Sequence, residues 1–485
     1  MNLRRRAFSA VRWTTLGMAS KAVLQVAQVA VLARLLLPAD YGLMAMATVI
    51  IGLARVFADF GLNSAFLQRR DVTENQRSSL FWLNMLLSVG LMLLVVAGSP
   101  LFARFYSEPR VAPLIALASL AFPVSALGQQ VRVAAEKALA FQKVMLIEMV
   151  AALSGFLVAV LAALEGWGVY ALIAGSLCGA AITTGLNWIL LSNGWRPAIR
   201  MRVDEVRSFL GFGGALVASN LVNYLNSAID LILGGRLLAA THLGLYSVPR
   251  NLTLQVQFVV NPIISRVAFP LMAEVQNDLA RVRSVYLQTL KMTASINAPA
   301  YLTICFFAPE VIHIVLGPKW ESAADILRIL AIWGAIRSTA NPVGSLLLGV
   351  GRADLAFKWN LALLGVVPPI VWVGSKFGTE GIAASLLCAQ LLLFVPNWYF
   401  LVRKACGATL LEYINACVRP FLLAVLAVSG GYFAAHGISN PLWRLAAGIG
   451  VAGPAYIGIS WFANHDWLRA VMELLGLRMN RSISE

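Results

Sequence analysis

The chain has 485 residues, of which 59% are hydrophobic and only 12% are charged, and its formal net charge is +16. About a quarter of the residues in soluble proteins are charged, so this composition excludes a soluble globular protein and indicates an integral membrane protein. In a soluble chain, so much positive charge would suggest nucleic acid as a partner. Here the charge falls on alternate loops of a membrane protein, and we expect no nucleic-acid partner.

Apolar stretches of about 20 residues predict fourteen transmembrane helices. Their approximate limits are 13–37, 41–67, 78–100, 111–133, 143–164, 168–192, 208–238, 243–270, 284–308, 323–350, 355–375, 380–402, 413–436 and 441–463. The first apolar stretch contains Lys21 and runs to about Leu37, which favours an uncleaved helix over a signal peptide. The connections are too short to hold a soluble domain.

The positive charges alternate between loops. The N-terminal tail, every second loop and the C-terminal segment carry about 26 of the 38 Lys and Arg residues. Such residues concentrate on the cytoplasmic side, so both termini of this multi-pass membrane protein are predicted to be cytoplasmic. An even number of helices is needed for this alternation, which supports fourteen.

A ten-residue motif occurs twice. Residues 34–43 read Arg-Leu-Leu-Leu-Pro-Ala-Asp-Tyr-Gly-Leu, and residues 236–245, 202 positions later, match five of the ten without a gap. Each copy lies between two long apolar segments. The chain therefore reads as a duplicated bundle of membrane helices.

Polar residues recur at the same offset within the membrane. The pairs are Lys21 and Asn223, Gln25 and Ser227, Gln28 and Asp230, Arg55 and Gln257, and Asp59 and Asn261. Their spacing places them on one helical face in each half. Polar groups are costly in hydrocarbon, so repeated polar faces predict a transporter whose substrate site lies between its repeats.

The predicted substrate-binding set adds further polar residues of segments seven, eight and ten. It consists of Lys21, Gln25, Gln28, Arg55, Asp59, Asn220, Asn223, Asn226, Asp230, Arg250, Gln257, Asn261, Arg266, Arg337 and Asn341. Its charged members are mainly basic, which favours an anionic substrate such as a diphosphate, because arginine binds such groups bidentately. Segments 1, 2, 7 and 8 are expected to converge on one water-filled cavity.

Structural explanations remain open for parts of this set. Arg55 and Asp59 are spaced as an i, i+4 ion pair, and Lys21 and Arg250 could extend to a membrane interface. The three asparagines of segment seven, Asn220, Asn223 and Asn226, could instead link helices by hydrogen bonds. Arg34 and Arg236, beside the outer turn of each copy, are expected to be structural.

Motifs for other activities are missing from the sequence. It has no phosphate-binding glycine loop, no nucleophile elbow and no metal-ligand spacing of His, Asp or Glu, so no cofactor or metal is predicted. The five cysteines are scattered, and we interpret them as buried apolar residues. An enzyme acting outside the cell would need a sizeable outer loop, so transport is favoured over catalysis.

Several motifs resemble the polysaccharide flippases of the multidrug/oligosaccharidyl-lipid/polysaccharide (MOP) superfamily. They are Gln28 with Leu32-Ala33-Arg34-Leu35-Leu36, Pro38 and Tyr41-Gly42, then Phe57 with Asp59-Phe60-Gly61-Leu62, Ala65 and Gln68-Arg69, and the later Gly317-Pro318-Lys319-Trp320. The sequence looks most like the branch that includes the colanic acid exporter. The resemblance implies a location in a bacterial inner membrane, alternating access, and an oligosaccharide substrate linked through pyrophosphate to polyprenol.

The predicted fold class is thus all-α integral membrane, with two six-helix bundles related by an internal repeat plus two C-terminal helices. The predicted divisions are a first bundle over 1–192, a cytoplasmic linker over 193–207, a second bundle over 208–402, an appended helix pair over 413–463 and an amphipathic cytoplasmic tail over 464–485. The predicted function is outward translocation of polyprenyl-diphosphate-linked oligosaccharide for exopolysaccharide or surface polysaccharide assembly. The partners are that substrate, membrane lipid and a polysaccharide polymerase or export machinery. Two alternatives remain, a cation-coupled drug exporter of the same superfamily and a polymerase or ligase of the membrane.

Overall fold

The computed structural model describes residues 3–58, 66, 72–202, 213–463 and 467, and within these it is entirely helical, with no strand. The helices are α1 Leu3–Leu35, α2 Pro38–Ala58, α3 Glu74–Tyr106, α4 Val111–Ser119, α5 Ala121–Lys137, α6 Phe141–Leu164, α7 Val169–Leu191, α8 Gly213–Leu237, α9 Ala240–Glu274, α10 Leu279–Phe306, α11 Ala308–Val315, α12 Ala324–Thr339, α13 Pro342–Gly349, α14 Ala353–Ser375, α15 Gly378–Leu392, α16 Phe394–Asn397, α17 Arg403–Cys406, α18 Leu410–Ala434 and α19 Pro441–Ala463. A 3₁₀ helix, Pro318–Ala323, precedes α12, and a π-helical turn, Trp398–Val402, links α16 to α17.

The all-helical membrane fold predicted from the sequence is confirmed. Among the described residues, eight helices are long and apolar enough to cross a membrane, or up to eleven if each of three bent pairs is one span. A helix or a helix pair lies at each of the fourteen predicted segments. The count of fourteen spans stays a prediction, as does the repeat layout.

The first compact unit comprises Met1–Ser247 and Leu363–Thr379. Within it α6 and α7 pack closely through small residues: a Cβ placed on Gly155 would lie 2.6 Å from the Gly175 carbonyl oxygen, and a Cβ on Gly175 would lie 2.6 Å from that of Gly155. Such small residues let membrane helices approach each other closely. Helix α1 packs on α6, with Leu32 buried in their contact. This packing fixes the helices that carry the charged residues discussed below.

The second compact unit comprises Val248–Ala362 and Glu380–Glu485. Helix α10 lies against α12 and α18, and α18 lies against α19. The Tyr456 hydroxyl donates to the Ser295 carbonyl oxygen at 2.9 Å and ties α19 to α10. Arg444, near the start of α19, pairs with the buried Glu310 of α11 at 2.9 Å.

These units divide the chain differently from the predicted bundles, because the first unit extends through α8 and into the start of α9. The predicted bundle limits of 1–192 and 208–402 stay predictions. The amphipathic tail over 464–485 lies outside the described residues, apart from Trp467, whose ring contacts that of Tyr456 at 5.6 Å.

Candidate functional site: a charged cavity in the first unit

The two copies of the repeated motif contact each other. A Cβ on Gly42 would lie 1.8 Å from the Ala240 carbonyl oxygen, and a Cβ on Gly244 would lie 1.7 Å from the Pro38 carbonyl oxygen. Pro38 and Ala240, like Gly42 and Gly244, are equivalent positions of the two copies. At this crossing of α2 and α9, the glycine of each copy therefore meets the same backbone carbonyl of the other copy. Only glycine permits so close an approach.

Two hydrogen bonds link α8 to the parts of α9 and α2 that follow this crossing. The Tyr246 hydroxyl donates to Asp230 Oδ2 at 2.6 Å, and both side chains are buried. The Tyr224 hydroxyl donates to the Val49 carbonyl oxygen at 2.7 Å and joins α8 to α2. Its ring lies over Gly52, where a Cβ would be only 2.3 Å from the hydroxyl oxygen.

A cavity of about 510 Å³ opens among α2, α5, α7 and the middle of α3. Its volume is within the range of sites for small-molecule ligands, roughly 300–1,000 Å³. Its charged and polar lining residues are Arg55, Ser88, Ser125, Gln129, Arg132, Glu136, Thr183, Thr184 and Asn187. Two of them are arginines, so the cavity can accept an anion.

A chain of ion pairs extends from this cavity. Arg132 Nε bonds to Glu136 Oε1 at 2.8 Å, and Arg132 Nη2 bonds to Glu148 Oε1 at 2.6 Å. The other oxygen of Glu148 accepts from Lys21 Nζ at 3.1 Å. The Glu148 side chain is only 15% exposed, whereas those of Lys21 and Arg132 are 44% and 38% exposed. The carboxylates thus hold Arg132 at the cavity and link it to Lys21, while both basic side chains stay partly exposed.

Among the residues predicted from the first half, Arg55 lines the cavity, and Lys21 joins it through Glu148. On α1, Gln25 is exposed and Gln28 is half-buried. Asp59 lies outside the described residues, so its proposed pairing with Arg55 stays a prediction.

The predicted residues of the second half occupy different environments. Asn220, Asn223 and Arg266 are exposed, and Asn226, Gln257, Arg337 and Asn341 are half-buried. Asp230 and Arg250 are 2% and 6% exposed. Burial of Asp230 against Tyr246 is not what we expected of a side chain facing a water-filled cavity, so the mechanism proposed below does not use Asp230.

Three of these residues make polar or cation–π contacts with neighbouring side chains in the second unit. Asn261 Oδ1 accepts from the Ser338 hydroxyl at 3.1 Å, and Asn341 Oδ1 accepts from the Ser265 hydroxyl at 3.3 Å. The Arg337 guanidinium lies 5.1 Å from the centre of the Trp333 ring. For Asn261 and Asn341, these contacts favour the structural explanation that polar side chains link helices.

Sequence reasoning missed Arg132, Glu136 and Glu148. Arg132 and Glu136 lie inside α5, and Glu148 lies inside α6. A signal for them was present: Arg132 and Glu136 have i, i+4 spacing, and Glu148 interrupts an apolar segment, where an acid is costly. Arg132 and Glu148 have no polar equivalent in the repeat comparison that selected the other residues, since positions 334 and 350 are Gly334 and Val350.

The fold and the charged cavity define an all-helical membrane transporter. The chain belongs to the polysaccharide biosynthesis protein family, whose profile matches residues 31–325. It is 32% identical over 427 residues to the lipopolysaccharide biosynthesis protein WzxC of Escherichia coli (strain K12), a match that covers 88% of this chain and 87% of that protein.

Solved structures share the fold. The lipid II flippase MurJ, in an inward closed conformation, aligns with a TM-score of 0.70 and 11% identity over 96% of this chain and 99% of its own. An inward-facing multidrug resistance MATE family transporter of the MOP superfamily aligns with a TM-score of 0.60 and 11% identity over 86% of this chain and 98% of its own. Together with the family match, these similarities confirm the predicted membership of the MOP superfamily and the prediction of a transporter rather than an enzyme.

Proposed function

We propose that the chain is a flippase that moves a polyprenyl-diphosphate-linked oligosaccharide across the membrane for polysaccharide assembly. The observation that carries the proposal is the cavity lined by Arg55 and Arg132, with Lys21 bound to the same acid as Arg132. The family match and the likeness to a protein named as a lipid II flippase support the same substrate class.

The cavity chemistry suits a diphosphate. Arg132 presents its guanidinium to two carboxylates, and a diphosphate offers anionic oxygens that a guanidinium can bind in the same way. When the diphosphate enters, its oxygens replace those of Glu136 or Glu148 on Arg132. The basic side chains thus exchange one anionic partner for another and are not left without a counter-charge.

The membrane potential can drive this transport. An anion moving outward from a negative interior gains about 2.3 kcal/mol per elementary charge per 100 mV. A diphosphate with about two charges gains roughly 4–5 kcal/mol at that potential if its charge crosses uncompensated. No nucleotide is required under this scheme.

The finer architecture belongs to the same proposal. Fourteen spans with both termini in the cytoplasm would place the cavity-lining ends of α2 and α5, with Arg55 and Arg132, toward the cytoplasmic side. An even number of spans agrees with the alternation of positive loops. The oligosaccharide would then be loaded on the side where it is made, and a polymerase or export machinery would receive it on the other.

A drug exporter coupled to cations is the second candidate, and the likeness to the MATE family transporter favours it. Such an exporter needs an acid free to bind a cation. The one acid that lines the cavity, among the described residues, is Glu136, and it is paired with Arg132 at 2.8 Å. The pairing favours the anionic substrate.

Reconstituted transport tests the proposal. The full chain is placed in liposomes with a fluorescent, short-chain polyprenyl-diphosphate oligosaccharide, and translocation is followed by chemical reduction of the label in the outer leaflet. We expect Arg132→Ala to slow translocation by about tenfold or more, because it removes charge-assisted hydrogen bonds worth about 1.5–3 kcal/mol each.

The matched control is Arg328→Ala. Arg328 is exposed, pairs with Asp325 at 2.6 Å and is not one of the residues that line the cavity. It should translocate at the normal rate. Normal translocation by Arg132→Ala, or transport of lipophilic cations in place of the diphosphate, would refute the proposed substrate.

A further inference from the structure

Residues 192–202, which follow α7, form a strap that folds back along α3. The Ala198 amide donates to the Ser78 hydroxyl at 3.1 Å, and the Arg202 amide donates to the Ser79 hydroxyl at 3.3 Å. The Trp82 indole in turn donates to the Ala198 carbonyl oxygen at 2.8 Å. These hydrogen bonds therefore fix the position of the strap along the axis of α3. Part of the segment predicted as a cytoplasmic linker over 193–207 is thus bonded to α3.

The position of the strap along α3 can be converted to a depth in the membrane. Helix α3 has 33 residues and is about 50 Å long, whereas the hydrocarbon core is about 30 Å thick. If the excess is shared between both ends, about 10 Å of α3 lies in each interfacial layer. Ser78 and Trp82 lie roughly 6–12 Å from the start of the helix. The strap therefore lies at the depth of the lipid headgroups rather than in bulk water.

The side chains of the strap match this depth. Ile199 is 96% exposed and Met201 is 40% exposed, although both are apolar. Arg196 and Arg202 are exposed on either side of them. A single exposed isoleucine is ordinary on a soluble surface. An isoleucine that is held on α3 between two arginines at headgroup depth instead lies beside the hydrocarbon of the membrane.

Aromatic residues support the strap from behind. The rings of Trp188 and Trp195 stack at 5.9 Å with an interplanar angle of 11°. The Arg77 guanidinium lies 3.8 Å from the centre of the Trp195 ring. Tryptophan is enriched where membrane proteins cross the interface. Trp82, Trp188 and Trp195 thus mark the same layer as the strap.

We propose that the strap is a binding site for anionic phospholipid in the adjacent leaflet. Ile199 and Met201 enter the upper acyl region, and Arg196 and Arg202 bind the headgroup phosphates. The site takes a phospholipid of the surrounding membrane and is separate from the cavity that binds the transported substrate. It does not depend on the proposed function.

The first experiment measures depth. A cysteine is placed at 199 in a cysteine-free full chain, labelled with an environment-sensitive fluorophore and reconstituted in nanodiscs containing brominated phospholipid. The matched control is a cysteine at 277, where Asn277 is exposed in the loop between α9 and α10. We expect strong quenching at 199 and little at 277. Equal quenching at the two positions would overturn the proposal.

The second experiment measures lipid binding without altering Ile199. Retention of phosphatidylglycerol and of phosphatidylcholine is compared by native mass spectrometry for the full chain and for Arg196→Gln with Arg202→Gln. Each arginine near an anionic surface contributes about fivefold in affinity, so the double variant should lose roughly 25-fold for phosphatidylglycerol only.

Arg352→Gln with Lys358→Gln is the charge-matched control, since both residues are exposed and pair with Asp354 at 3.2 and 3.8 Å. It should retain phosphatidylglycerol. Equal losses in the two double variants would show that net charge alone acts. Displacement of phosphatidylglycerol from the strap by farnesyl diphosphate would assign the site to the transported substrate. Either result overturns the proposal.

Discussion

Replacing Gly42 by alanine should force the starts of α2 and α9 apart. The new Cβ would lie 1.8 Å from the Ala240 carbonyl oxygen, whereas ordinary van der Waals contact begins at 3.4 Å. A backbone oxygen in a helix cannot turn aside, so the helices must separate by more than an ångström. Overpacking of this kind costs about 1–3 kcal/mol, and we expect the upper end of that range. The better helix propensity of alanine returns about 1 kcal/mol, which leaves a net loss of about 2 kcal/mol.

Gly90→Ala is the matched control. Gly90 lies within α3, and nothing lies within 4 Å of the position of its Cβ. The same chemical change should there stabilise the protein by up to about 1 kcal/mol. Thermal unfolding of the purified full chain in detergent, with the two variants side by side, should shift the midpoint in opposite directions.

The double variant Gly42→Ala with Gly244→Ala makes the test sharper. A separation that accommodates the first Cβ also accommodates much of the second, because each meets the carbonyl oxygen of the other motif. The combined loss should therefore fall short of the sum of the single losses by about 0.5–3 kcal/mol, as expected for residues in contact. Additive losses, or a Gly42→Ala variant as stable as Gly90→Ala, would refute the interpretation of this crossing.

Three further predictions concern transport and topology. Glu148→Gln should raise the affinity for farnesyl diphosphate by about tenfold, as measured by titration calorimetry. The reason is that it removes the acid that competes for Lys21 and Arg132, to which Glu148 is paired at 3.1 and 2.6 Å. Unchanged affinity would show that these ion pairs play no part in substrate binding. Arg55→Ala should abolish polymer export with the protein still inserted, and Arg55→Lys should restore only part because the bidentate fork is lost; full export by Arg55→Ala with Asp59→Ala would make Arg55 a structural charge. In a cysteine-free chain, a cysteine at 319 should be labelled from outside the cell and one at 200 only after permeabilisation, and the reverse pattern would contradict cytoplasmic termini.

The sequence was sufficient to predict the helical membrane fold, because long apolar segments have few other stable structures in a bilayer. It also identified Arg55 and Lys21, since charges within apolar segments are expensive and therefore conspicuous. It could not pair Lys21 with Glu148, because the partners are 127 residues apart and only the packing of α1 on α6 brings them together. The repeat comparison was a poor guide to Arg132 and Glu148, because it selects only positions that are polar in both halves, and their equivalents are Gly334 and Val350.

Burial was equally hard to predict from the sequence. Asp230 and Gln28 are equivalent in the two copies, yet Asp230 is buried against Tyr246 whereas Gln28 is half-buried on α1. The hydrogen-bond partner of Asp230 is Tyr246 in the next helix, and the equivalent position of the first copy is Met44, which has no hydroxyl group to donate. A pattern of polar residues thus shows which side chains are costly to place in the membrane, but not which neighbouring residue offsets that cost.

The crossing of α2 and α9 has the symmetry of a dimer interface. Gly42 meets Ala240 and Gly244 meets Pro38, so each motif offers the other the same surface. Exchange of this kind defines an isologous contact between identical subunits. In a homodimer, every substitution there would occur on both sides at once. In a single chain the two sides change one at a time, and Asp40 and His242, at equivalent positions, have already diverged. Each half of a single chain can therefore hold a side chain or a charge that the other half lacks.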